Sequence, residues 1–134
     1  MSGLNFDRPA ALATTVAHDS HNLMVMGTSE EVMARAARAV AEEGGGVAVA
    51  TQDDLTLLPL PVAGLLSTEP YEEVAERSRQ VSEALARAGC RLNYAFMTLS
   101  LLALVVLPEL HVSDKGLVGV GESGFEFVDP IEQG

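Results

Sequence analysis

The sequence has a single cysteine and few basic residues, and each shortage argues against a class of protein or site. Its 134 residues include 8 Lys and Arg against 19 Asp and Glu, which gives a net charge of -11. A chain this acidic repels phosphate backbones and anionic membrane surfaces, so we expect no nucleic-acid partner and no membrane association. Cys90 is the only cysteine and cannot form an internal disulfide or a multi-thiolate metal site. We interpret it as an inert, partly buried thiol.

Long hydrophobic runs are also missing. The longest uninterrupted apolar run, residues 101–107, is far shorter than the roughly 20 residues that a membrane-spanning helix needs. Residues 2–9 carry Asp7 and Arg8 and lack the basic start and apolar core of a secretory signal. We therefore expect a cytoplasmic location and, from the length, one compact domain.

Helical periodicity predicts two amphipathic helices, at residues 29–43 and 70–88. Thr28 with Glu31 has the spacing of a capping box for the first helix, and Thr68 or Glu69 can cap the second. The predicted core stripes are Val32, Met33, Ala36, Ala37 and Val40 on the first helix, and Tyr71, Val74, Ser78, Val81, Leu85 and Ala88 on the second.

Short apolar segments bounded by turn residues predict strands. Residues 23–26 resemble a buried strand, and residues 47–51 and 55–60 flank a polar turn as in a hairpin. Gly44, Gly45 and Gly46 are interpreted as a flexible stop after the first helix. Residues 117–120 and 125–128 are further strand candidates. For residues 96–107, periodicity alone does not decide between a strand and a buried helix.

These elements predict an α/β fold, with α+β as the alternative. We expect a single compact domain in which a mixed β-sheet packs against the two main helices, both on one face.

The glycine pattern at residues 119–124 formally matches a dinucleotide-binding motif, but its context is wrong. That motif requires a helix N-terminus directly after the glycines to hold pyrophosphate, and residues 125–130 are strand-like and acidic. The sequence also lacks a phosphate loop, a serine nucleophile elbow and the thiolate pair of the cytidine-type zinc deaminases.

The most informative segment is residues 17–22, here called the histidine turn, which reads Ala-His-Asp-Ser-His-Asn. His18 and His21 with Asp19 could bind a divalent metal or exchange protons, provided that a turn makes them converge. The alternative is an ordinary Asx-rich turn, in which Asp19, Ser20 and Asn22 bond to local backbone and the histidines satisfy buried carbonyls. The third histidine, His111, is expected on a strand surface.

Nine residues around this turn, together with motifs further along, resemble the C-terminal domain of bacterial and archaeal adenine deaminases. The resemblance covers about residues 11–120, and it divides the chain into an N-terminal extension (1–10), the family-like domain (11–128) and an acidic tail (129–134). Its motifs are Thr-Thr-Val-Ala-His-Asp-Ser-His-Asn at 14–22, Gly-Thr at 27–28, the glycines at 44–46, Leu-Pro-Leu-Pro-Val-Ala-Gly-Leu at 58–65, Glu-Val-Ala-Glu at 73–76, Gly-Cys at 89–90, Phe-Met-Thr-Leu-Ser at 96–100 and Pro-Glu-Leu at 108–110.

The resemblance implies hydrolysis of adenine to hypoxanthine and ammonia by an amidohydrolase-type enzyme that uses manganese or iron. In that family the metal ligands lie on a (β/α)₈ barrel, which 134 residues cannot contain. The resemblance therefore implies no metal or other cofactor in this domain by itself. Smaller departures from the family pattern are Val105, residues 93–95 and His111.

The leading hypothesis is an accessory domain that is inactive alone and packs at the mouth of a catalytic barrel, in the same or a separate chain. In this hypothesis His18, Asp19 and His21 orient polar groups near the substrate. Ser20, Asn22, Ser67, Thr98 and Ser100 are candidates for shaping the pocket.

Two alternatives remain. The first is a stand-alone purine or small-molecule binding module. The second is a small metal-dependent hydrolase in which His18 and His21 bind the metal. Apolar surface left exposed without a barrel also predicts self-association as a homo-oligomer.

Overall fold

The computed structural model describes residues 4–107, 109–121 and 124–129. Within these residues it contains two antiparallel sheets and three α-helices, so the predicted class of a compact mixed α and β domain is confirmed. The elements are β1 Ala10–Thr14, β2 Met24–Gly27, α1 Glu30–Glu42, β3 Gly46–Thr51, β4 Leu55–Pro59, α2 Tyr71–Arg87, α3 Ala95–Ser100, a 3₁₀ turn at Leu101–Ala103, β5 Leu110–Ser113, β6 Gly116–Gly121 and β7 Gly124–Val128.

The main sheet has the strand order β2-β1-β3-β4, and every pairing in it is antiparallel. The predicted hairpin is present as β3 and β4, whereas β1 was not predicted. β1 occupies the centre of the sheet, where all five of its residues are buried. The expectation of mixed strand directions is not met in the described residues, and the arrangement is the α+β alternative.

The two long helices pack on opposite faces of this sheet, so the prediction that they share one face was wrong. Alternate residues of a strand point to opposite sides. On one side Ala11 and Ala48 pack against Val32, Ala36 and Val40 of α1. On the other side Leu12, Val47, Val49 and Leu58 pack against Val81, Ala84 and Leu85 of α2. Complete burial of a side chain such as Leu12 stabilises the fold by about 1.5–3 kcal/mol.

The helix bounds agree with the predictions to within about one residue, but the predicted caps are wrong. The residue before α1 is Ser29, and no side chain caps the helix. Thr28 instead accepts the Ala10 N–H on its hydroxyl (3.2 Å), which ties the end of β2 to β1. α2 follows Pro70 without a side-chain cap, and its first residue, Tyr71, is 81% exposed rather than part of the core stripe.

Residues 95–103 are helical, so the first part of the apolar segment 96–107 is helix and not strand, and residues 104–107 follow as turn and irregular structure. In the described part of the chain, no helix is long and apolar enough to cross a bilayer. Cys90 is buried close to α3 in the same core cluster as α2, as expected for a structural thiol.

The second sheet has the order β5-β6-β7 and contacts the 3₁₀ turn through β5. His111 lies on β5, but it is buried and its Nδ1 is 3.2 Å from the Leu102 carbonyl oxygen. The prediction of a surface histidine was therefore wrong. The glycine pattern at 119–124 joins β6 to β7, although residues 122 and 123 lie outside the described residues.

The predicted N-terminal extension packs onto the domain in its described part, residues 4–10. Leu4 is buried in the α2 core cluster, and the Asp7 N–H donates to the Ala88 carbonyl (3.0 Å). Of the predicted acidic tail, only Asp129 belongs to the described residues.

Candidate functional site

The histidine turn connects β1 to β2 at one end of the main sheet. Ala17 is fully buried and fixes the start of the turn in the core. The Ser20 N–H donates to the His18 carbonyl (2.9 Å), and the His21 N–H donates to the Ala17 carbonyl (3.0 Å). The hydrogen bonds that shape the turn are therefore made by its backbone.

Asp19 and His21 both adopt left-handed backbone conformations, with φ of 64° and 49°. Such conformations are uncommon outside glycine, although Asp and His adopt them more readily than most residues. Asp19, Ser20 and His21 are exposed, and His18 and Asn22 are half-buried. In the described residues the turn shows none of the side-chain-to-backbone bonds that an Asx-rich turn would require. Its polar side chains instead project where a ligand or an apposed surface can reach them.

Thr15 joins the start of this connection to a second loop, residues 61–67. Its hydroxyl donates to the Gly64 carbonyl (2.7 Å) and accepts the Gly46 N–H (2.9 Å). Thr15 was not predicted as a site residue, because a threonine carries no sequence signal of a partner 49 residues away.

The glycine run packs tightly against the same 61–67 loop, so its interpretation as a flexible stop was wrong. Gly44 and Gly45 close α1 by donating their N–H groups to Ala41 and Val40, in the pattern of a Schellman motif. A Cβ on Gly45 would lie 2.4 Å from the Gly64 Cα, so the two backbones touch. This contact fixes the position of the loop.

A third segment, the end of α3, contacts the histidine turn. The His18 N–H donates to the Ser100 carbonyl (3.2 Å). The Ser100 hydroxyl is fully buried and donates to Met97 O (2.6 Å). The half-buried Thr98 donates to Tyr94 O (3.4 Å). Both hydroxyls are thus bonded within their own helix.

The remaining pocket candidate, Ser67, is half-buried, and its hydroxyl accepts the Glu69 N–H (3.1 Å). It lies at the end of the 61–67 loop and leads into α2. The structure therefore joins the histidine turn to the end of α3 through the backbone, and it joins Thr15, two residues before the turn, to the 61–67 loop. We call this assembly the three-segment site.

The donor set of the site does not fit a metal centre. Among residues 4–107, 109–121 and 124–129, no three His, Cys, Asp or Glu side chains are grouped so that they could hold an ion. A catalytic metal usually takes three protein ligands. The described residues therefore offer no ligand set for manganese or iron.

Surface grooves occur elsewhere on the domain. One of about 410 Å³ lies between the β3–β4 turn and the end of α2, where Arg8, Asp54 and Arg87 line it. Another of about 330 Å³ lies beside the second sheet. Neither of these two grooves is lined by a residue of the histidine turn.

Comparison with known proteins gives consistent results. The family described as adenine deaminase C-terminal domain matches residues 1–123. The chain is 67% identical over 134 residues to an adenine deaminase of Rubrobacter xylanophilus, and 48% identical over 133 residues to one of Ruegeria pomeroyi. A third relative, the adenine deaminase of Moorella thermoacetica, is 49% identical over 135 residues. The chain spans only about 22% of the length of each of these relatives.

Proposed function

Because this chain belongs to the adenine deaminase C-terminal domain family, we propose that it is an accessory domain of an adenine deaminase. The proposed whole protein converts adenine and water to hypoxanthine and ammonia, with a manganese or iron site in a catalytic region outside these 134 residues. By itself the domain is inactive. A cytoplasmic location stays a prediction.

The observation that carries this proposal is the three-segment site. Exposed polar side chains of Asp19, Ser20 and His21 are held on a backbone that Ala17 and Ser100 anchor to the core. A surface of this kind can present hydrogen-bonding groups to an apposed active site at fixed positions, which is how accessory residues orient a substrate. We propose that it closes one side of the adenine pocket. His18, Asp19 and His21 orient polar groups there.

The test uses an exchange enzyme, in which this chain replaces the matched region of the Rubrobacter xylanophilus adenine deaminase. The triple substitution His18→Ala, Asp19→Ala and His21→Ala should lower the turnover of adenine by roughly tenfold or more, because orientation at the pocket is lost. The metal content should not change. Steady-state kinetics and metal analysis of the purified enzymes measure the two quantities.

The control is the double substitution Gln52→Ala and Asp53→Ala, which alters an exposed turn at the β3–β4 hairpin and should leave turnover unchanged. Equal turnover of the triple variant and the unaltered exchange enzyme would reject the role of the histidine turn. Loss of bound metal in the triple variant would contradict its assignment to orientation.

The isolated chain distinguishes the two alternatives. A calorimetric titration of the isolated chain with adenine should show no saturable binding. Incubation of the chain with adenine should release no ammonia. Saturable binding would favour the purine-binding module. Ammonia release with a stoichiometric metal would favour the small hydrolase.

A further inference from the structure

The second sheet leaves two aromatic side chains exposed at its edge. Phe125 and Phe127 on β7 are 66% and 69% exposed. They are two residues apart on a strand and therefore lie on the same face of the sheet. In the described residues β7 pairs with β6 alone, so its other edge carries backbone groups that a further strand could bind.

The register identifies which face this is. His111 pairs with Val118, and Val118 pairs with Phe127, so the three side chains lie in one row. His111 and Val118 are buried, and His111 contacts the Leu102 carbonyl of the 3₁₀ turn. Phe125 and Phe127 therefore lie on the same face of the second sheet as His111 and Val118, which is the face that packs against the 3₁₀ turn. They extend this face past the part that the rest of the domain covers. Val105, Val118 and both phenylalanines line the groove of about 330 Å³ there.

A second copy of the chain is a poor occupant of this edge. Antiparallel pairing of two β7 strands about Glu126 would place each Phe125 opposite the other copy's Phe127, which is favourable. The same register places Glu126 directly opposite its own copy, and like charges in that position destabilise a strand pair. The net charge of -11 on each chain adds to the repulsion.

The curated relatives are several times longer than this chain, which spans about 22% of them. We propose that an extended segment of the polypeptide outside these 134 residues adds to the β7 edge as a further strand. Its apolar side chains cover Phe125 and Phe127, and a neutral or basic residue lies opposite Glu126. Main-chain hydrogen bonds supply affinity in such strand addition, and the alternating side chains supply specificity. This inference rests on the proposed accessory role and names the surface through which the domain is attached.

The experiment compares backbone amide exchange in the isolated chain and in the exchange enzyme by mass spectrometry. The backbone amides of peptides covering residues 124–128 should exchange their hydrogens at least about tenfold more slowly in the exchange enzyme than in the isolated chain. The reason is that strand pairing protects amides. β3, in the middle of the main sheet, should exchange alike in both. Equal exchange of residues 124–128 in the two proteins would overturn the proposal, and the comparison needs no substitution.

Two further measurements identify the occupant. Phe125→Ser with Phe127→Ser should remove the protection of β7 in the exchange enzyme, whereas Tyr71→Ser, which alters a still more exposed aromatic on α2, should retain it. Sedimentation of the isolated chain should show a monomer at all concentrations, contrary to the self-association expected from its exposed apolar surface, because the acidic chains repel one another. A dimer that the phenylalanine substitutions abolish would overturn the proposed occupant. It would show that a second copy of the chain binds at this edge.

The outcomes also separate this inference from the proposed function. Protection of β7 with a histidine turn that does not affect turnover would reject only the role of the turn. Loss of turnover in the triple alanine variant with an unprotected β7 would reject only the docking edge.

Discussion

The Thr15 hydroxyl and the Gly64 carbonyl oxygen are 2.7 Å apart, although 49 residues separate them in sequence. Through this bond the strand that leads into the histidine turn is fixed to the 61–67 loop. The same hydroxyl accepts the buried Gly46 N–H, so one side chain satisfies two backbone groups from different segments.

Replacement of Thr15 by valine should destabilise the domain by about 1–3 kcal/mol. Valine has nearly the same shape, but it leaves the Gly46 N–H and the Gly64 carbonyl without this hydroxyl, and unsatisfied buried groups are costly. Urea unfolding followed by circular dichroism measures the change. Thr56→Val on β4 is the control, and it should change the stability by less than about 0.5 kcal/mol. Equal effects of the two substitutions would contradict the assigned role.

Replacement of Gly45 by alanine should be more damaging than the same change at Gly116. Both glycines have positive φ, 140° and 128°, so both substitutions strain the backbone by about 1–3 kcal/mol. A Cβ at Gly45 also meets the Gly64 Cα at 2.4 Å, whereas at Gly116 no atom of the described residues lies within 4 Å of the added Cβ. Thermal unfolding of the two variants isolates the contact between the glycine run and the 61–67 loop. Similar melting temperatures would mean that this contact is not tight in solution.

Glu76 should stabilise α2 more at neutral than at acidic pH. Hydrogen bonds from Arg79 and then Gln80 lower the pKa of Glu76 below its ordinary value of 4.5. A carboxyl whose pKa is lowered by folding stabilises the protein above its unfolded pKa and loses that effect as the pH falls through the folded pKa. The unaltered chain should therefore be more stable than Glu76→Gln at pH 7, and the two should converge once the pH falls below the lowered pKa of Glu76. Urea midpoints across this range provide the measurement, and a difference that persists in acid would contradict the ionic origin. The effect should be small, because solvent reaches 44% of the Glu76 side chain and 57% of the Arg79 side chain and screens the pair.

The sequence predicted the helices better than it predicted the sheet. The stripe of Val32, Ala36 and Val40 has helical spacing, and this local signal located α1 to within one residue. β1 escaped prediction because Ala10, Ala11 and Ala13 have low strand propensity, which burial between β2 and β3 overrides. The capping prediction failed for the same kind of reason, since pairing with Ala10 engages the Thr28 hydroxyl.

The candidate site could be predicted only in part. The polar composition of residues 18–22 is visible in the sequence, and so is their position next to a strand. The convergence with Gly64 and Ser100 depends on contacts between residues far apart along the chain, which periodicity cannot reveal. The left-handed backbone of His21 had no sequence signal comparable to a glycine.

The two faces of β1 differ in the size of their side chains, and this difference restricts the register of the strand. Ala11 and Ala13 lie beneath α1, and Leu12 lies beneath α2. A shift of β1 by one residue would invert its faces, which would force Leu12 against the alanines of the α1 side and leave a void beneath α2. Leu12 is the single large aliphatic side chain among the five residues of β1, and its position therefore disfavours a shift of the central strand by one residue in either direction.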